Sequence, residues 1–153
     1  MNFSENESQR AEIEAALRQH RQFEECLIVG VSFSEFRTQL DIDVDYTWDD
    51  AGLVRKDVDK QPLLYRLTFY PVFEFHLQNG LTAEQVTHMD HATWSWNEIS
   101  KIAVQTDDAT RRKYAHLNVP IHKISILWTW NKVEAPTDKR IDIVCSSLRV
   151  SRP

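Results

Sequence analysis

Glycine is scarce in this chain: there are three, Gly30, Gly52 and Gly80, and none neighbours another. Loops that cradle phosphates need clustered glycines, so that backbone N–H groups can close on the ligand. Neither GxGxxG nor GxxxxGKS/T occurs, and the nucleophile-elbow pattern GxSxG is missing too. These absences remove the commonest nucleotide-binding and hydrolase chemistries. Basic residues are also in deficit, 18 Lys and Arg against 23 Asp and Glu, for a formal charge of −5. That balance argues against a nucleic-acid partner, because phosphates need a basic face. No apolar run approaches the roughly 20 residues that cross a bilayer. The opening MNFSENESQR is polar and acidic, with no apolar signal core. The expectation is a cytoplasmic protein with no membrane partner. Only two cysteines occur, Cys26 and Cys145, each inside an apolar run. They are expected to be reduced, buried hydrophobes, even if strand pairing makes them neighbours.

What is present suits one globular domain over 1–153: 42% apolar residues, 10% aromatic residues, and a length that can bury a core unaided. The spacing predicts a helix over 4–22, opened by a Ser4/Glu7 capping box and carrying Ile13, Ala16, Leu17 and His20 on one face. Residues 26–33, CLIVGVSF, form an apolar, β-branched run that reads as a buried strand. Over 39–48, Leu40, Ile42, Val44, Tyr46 and Trp48 alternate with Asp41, Asp43, Asp45 and Thr47, a strand with one apolar and one polar face. Residues 63–70 and 72–78 read as strand on either side of Pro71, which marks an edge or bulge. A turn at Asn79–Gly80, a short helix near 83–90, and helix or strand over 96–104 follow, then a solvated loop over 105–113. Strands at 121–130 and 140–150, joined by a long hairpin loop, close the chain. The fold class is α+β, a mainly antiparallel sheet or sandwich with an N-terminal helix and one or two short helices.

The acidic comb in LDIDVDYTWDD admits three readings. An EF-hand count fails, since Tyr46 stands where the sharp turn needs glycine and Gly52 where the closing glutamate belongs. The comb is then either the wet face of a strand, its charges discouraging edge-to-edge joining, or a docking surface for a basic protein partner. In the docking reading the residues are Asp41, Asp43, Asp45, Asp49 and Asp50. A second candidate site gathers His76, His88, Asp90, His91, Trp94 and Trp96, with His116 and His122 as further histidines and Glu74 two residues from His76. It would serve a small-molecule-binding or metal-dependent enzyme. Yet HExxH is absent and no cysteine pair has zinc spacing, so neither a metal nor another cofactor is expected.

The order of segments carries a resemblance. An opening helix leads into CLIVGVSFSEFRTQLDIDVDY, then LYRLTFYPVFEFHL, and late in the chain RIDIVCSSLRV. This layout resembles small strand-rich families of uncharacterised bacterial proteins that include immunity proteins of toxin systems. The resemblance covers most of the chain as an order of strands, brings no catalytic motif, and departs at the Trp- and His-rich segment 88–96. It implies a non-enzymatic, toxin-neutralising binding protein. Such a protein, acting through protein–protein contact, is the leading expectation.

Overall fold

The computed structural model describes residues 3–78, 98–128 and 140–153. Helix α1, Phe3–Gln19, has Glu5 in its first turn and Arg18 in its last, charges that complement the helix dipole. Arg10 and Glu14, one turn apart, pair at 3.0 Å. Ile13 and Leu17 form its buried stripe. The helix ends before residue 22 because the backbone turns left-handed at Arg21, Gln22 and Phe23, with φ of 53°, 55° and 56°. That turn drives Phe23 into the core.

Six strands follow: β1 Leu27–Ser34, β2 Gln39–Asp45, β3 Leu64–Gln78, β4 Ile99–Gln105, β5 His122–Trp128 and β6 Arg140–Ser151. They form one antiparallel sheet in the order β1-β2-β3-β6-β5-β4, so the described residues make a single sheet and not a sandwich. The two outer strands meet at one end. The Glu25 N–H donates to Ile99 O and the Ile99 N–H to Cys26 O, both at 2.8 Å, and Leu27 bridges Glu98. The sheet therefore curls, and α1 packs against β4 and β6. Leu40, Ile42, Val44, Leu67, Phe69, Ile102, Ile124, Ile126 and Ile143 are fully buried in one core. Along β6 the buried set shifts from Ile141, Ile143 and Cys145 to Leu148, a change of parity beside the β3 bulge between Val72 and Glu74.

The α+β class stands, and the alternation expected over 39–48 holds from Leu40 to Tyr46, although β2 itself ends at Asp45 and Thr47 is buried. Several local expectations change. β3 runs unbroken through Pro71, whose peptide bond with Tyr70 is cis. Pro71 offers no N–H to the ladder, the following Val72 N–H donates to Thr38 O at 2.8 Å, and the bulge expected beside this proline lies between Val72 and Glu74. Residues 99–105 are strand, and 105–113 is not simply loop. Helix α2, Asp108–Tyr114, is capped by Asp107, whose carboxylate accepts the Thr110 N–H at 3.0 Å. Cys26 and Cys145 are not neighbours, since β2 and β3 stand between β1 and β6. The largest correction concerns β1. It is an outer strand whose residues from Val31 to Ser34 are all exposed, not a buried one. The turn at 79–80, the helix near 83–90, the hairpin loop and Trp130 lie outside the described residues.

Candidate functional site

The acidic comb is largely satisfied from within. Asp43 takes a two-point contact from Arg66 on β3, Nε to Oδ1 at 2.7 Å and Nη2 to Oδ2 at 2.9 Å. That pairing lowers its carboxyl from the ordinary value, with burial opposing. Asp41 accepts from the Thr68 hydroxyl at 2.7 Å and from the Gln39 amide at 3.1 Å. Asp45 accepts the Leu63 N–H at 2.9 Å and the Arg55 guanidinium at 3.1 Å. Asp49 closes a turn by accepting the N–H groups of Ala51 and Leu53 at 2.9 and 2.8 Å. Asp50 is exposed and makes no hydrogen bond or ion pair among the described residues. Thr47, expected on the wet face, is buried, and its hydroxyl donates to Glu25 O at 2.8 Å.

The structure brings the histidines together only in part. His88, Asp90, His91, Trp94 and Trp96 lie outside the described residues. His76 sits on β3 with its Nε2 3.2 Å from Glu74. Glu74 also accepts from Lys113 and, at 2.5 Å, from the Tyr114 hydroxyl, tying α2 to the sheet. The Lys113 ammonium, followed by Tyr114, draws the Glu74 carboxyl down to about 2, while Lys113 and Tyr114 are both pushed up. Proton transfer near neutrality wants the opposite arrangement, with pKa values near the working pH. This cluster is a clamp. Among the described residues, no three His, Cys, Asp or Glu side chains gather to hold a metal.

His122 is buried on β5, opposite Cys145 on β6, and its Nε2 has no hydrogen-bond partner. Its pKa is driven down to about 4, first by burial and then by Arg111 and Arg10, with Glu7 opposing. Both cysteines are free and buried. Burial pushes the thiols up, Cys26 to about 11 and Cys145 to about 12. Thiol reagent applied to the native protein near neutral pH should therefore label neither, while the urea-unfolded chain labels fully. Fast native labelling at either position would contradict this burial.

An acidic cleft of about 480 Å³ lies near the seam where β1 meets β4, lined by Glu25, Thr47, Val54, Val58, Asp59 and Glu98. Burial, and then the nearby Glu25, raise the Glu98 carboxyl.

The feature that alternation and motif reading missed is apolar. On β1, Val29, Val31 and Phe33 are exposed, and just beyond them Phe36 is 101% exposed. Phe36 sits in a left-handed turn, Glu35–Arg37, with φ of 49°, 56° and 69°. Left-handed backbone costs about 1–2 kcal/mol per non-glycine residue. The turn is held by Thr38, whose hydroxyl and N–H both donate to Glu35 O, at 2.6 and 3.1 Å. Phe33 packs edge-on against Phe75, centroids 5.2 Å apart. Nothing in SEFRT signals this turn, because it contains neither glycine nor asparagine.

No family model matches the chain, and no curated protein sequence does. Among solved structures, an uncharacterized protein from Neisseria gonorrhoeae is similar at 11% identity, over 86% of this chain and 94% of its own, with a TM-score of 0.49. No helix of the described residues is long and apolar enough to cross a membrane.

Proposed function

We propose that this chain is a non-enzymatic binding protein that acts through protein–protein contact, and that its contact surface is the β1 edge with the Phe36 turn. The carrying observation is Phe36, a fully exposed aromatic on a strained turn beside an exposed apolar strand. Backbone strain gathers at functional sites, and aromatic anchors dominate interface energetics. The toxin-neutralising role implied by the strand-order resemblance, in the cytoplasm, is a specific form of this reading. So is a basic partner, which would suit the net charge of −5 and the exposed Asp50. The comb contributes less, because Asp41, Asp43 and Asp45 are already engaged.

The test is direct binding between the purified chain and any protein it captures. Phe36→Ala is expected to weaken that binding by about 2 kcal/mol or more, roughly thirty-fold in Kd. Asp50→Lys should change mainly the on-rate and its salt dependence. Unchanged affinity in Phe36→Ala would remove this surface from the reading. The enzyme alternative keeps one foothold, the cleft in which Glu98 is a carboxyl with a raised pKa.

A further inference from the structure

We infer that the first turns of α1, residues 4–12, are an acid-opened latch over His122: when the ring takes up a proton, this segment comes off the sheet while the rest of the helix stays docked. The inference is independent of the β1 edge. α1 is anchored unevenly. Ile13 and Leu17 are buried in the core, whereas no residue from Ser4 to Glu12 is buried. Polar contacts tie that half down. Arg111 Nη2 donates to Glu7 Oε1 at 2.7 Å, and the Ile121 N–H to Asn6 Oδ1 at 3.4 Å. Both ties land beside His122, since Ile121 precedes it in the chain and Arg111 and Glu7 face its ring. α2 is fastened separately, Tyr114 to Glu74 at 2.5 Å and Asp107 to Lys123 at 2.8 Å, so the side that yields is α1.

His122 is 3% exposed on β5, opposite the neutral thiol of Cys145 on β6. The charged groups facing it are Glu7 and Arg10 from α1 and Arg111 from α2. Arg10 in turn holds Glu14 on its own helix at 3.0 Å. With the ring neutral, two guanidiniums stand against two carboxylates. A proton on His122 adds a third cation against the same two carboxylates, inside a buried corner. Burial and the two guanidiniums together keep the ring neutral down to about 4. Lifting residues 4–12 admits water and carries Arg10 away, so the open state accepts the proton that the closed state refuses. Acid therefore favours the open latch, through the same difference that separates the two protonation curves.

The test is amide hydrogen exchange of the full chain, read as protection factors near pH 7 and near pH 5, where ordinary carboxylates stay ionised. Low urea separates local from global opening, because only global unfolding exposes enough surface to respond to it. The amides of Ser8 to Glu12, with that of Ile121, should exchange by a route insensitive to low urea. Along that route their protection should fall by up to roughly thirtyfold from about pH 7 to about pH 5, the ratio set by a ring at about 4 when closed and 6.5 when open. His122→Phe should abolish the fall, and His122→Leu serves if the larger ring overpacks the site. Glu7→Gln cuts a tie directly and should lower protection of the same amides roughly fivefold already near pH 7. Segment amides without protection near pH 7, local exchange that does not change with pH, a change that carries the same urea dependence as β3 amides, or one that survives loss of the histidine would overturn the inference.

Discussion

Arg55→Ala is expected to destabilise the fold by about 3–5 kcal/mol, the usual cost of stranding a buried charge. Arg55 is 9% exposed and organises the whole connection between β2 and β3. Its Nε donates to Tyr46 O at 2.7 Å, its Nη1 to Gln61 O at 3.0 Å, and its Nη2 to Asp45 at 3.1 Å. Without it, two carbonyls lose their donors, and Asp45, 12% exposed, keeps only the Leu63 N–H. Arg55→Lys should recover little, because an ammonium cannot span three divergent acceptors as a planar fork does. Urea unfolding measures the loss. A drop below about 1 kcal/mol would mean that the loop is held by its own turns and not by this side chain.

Lowering the pH from 6.5 towards 4 should cost the protein up to about 3 kcal/mol through His122. The folded pKa lies near 4 against an ordinary 6.5. Above 6.5 the ring is neutral in both states and carries no penalty. Between 6.5 and 4 the unfolded chain takes a proton that the folded chain refuses, so stability falls as the pH falls. The groups facing the ring are Arg111 from α2, and Arg10 and Glu7 from α1. A further loss begins as the pH falls through the ordinary carboxylate value of 4.5, where the unfolded chain takes up a proton that Glu74, held down to about 2 in the fold, refuses. His122→Phe should flatten the first phase, leave the second, and remove an unpaired buried nitrogen. His122→Leu serves if the larger ring overpacks the site. Unfolding free energies near neutrality and near pH 4 decide the matter. A wild-type curve flat across that window would show that protonated His122 finds a partner.

The sequence was most legible where side chains alternate. Leu40, Ile42 and Val44 are buried, and Asp41, Asp43 and Asp45 take the other face. A one-residue slip would have buried three carboxylates, so register there is strongly determined. What the aspartates do was not legible. Their partners Arg55, Arg66 and Thr68 come from the loop and from β3, and only pairing brings them across. Apolar content misled at β1, because CLIVGVSF has the composition of a central strand and the exposure of an edge. Composition does not encode strand order. Helix α2 was missed although Asp107 and Thr110 offered a cap, because seven residues are too few to show a period. The left-handed turns at Arg21–Phe23 and Glu35–Arg37 lacked any local sign, since tertiary packing imposes them against residue preference.

The strand order divides the molecule in a way that bears on how it assembles. β1, β2 and β3 are consecutive neighbours, as are β4, β5 and β6, so each half is a meander that can zip from local encounters. The halves are joined through β3 and β6, the most extensive pairing in the sheet and one between distant parts of the chain. Local pairing forms quickly, whereas distant pairing must first overcome the entropy of closing a long loop. The rate-limiting event should thus be the docking of one preformed half on the other. Two fragments, cut between Gln78 and Glu98, would each hold a complete meander and meet chiefly along β3 and β6, with α1 on β4 and β6 and the short closure of Cys26 and Leu27 on β4 as smaller contacts.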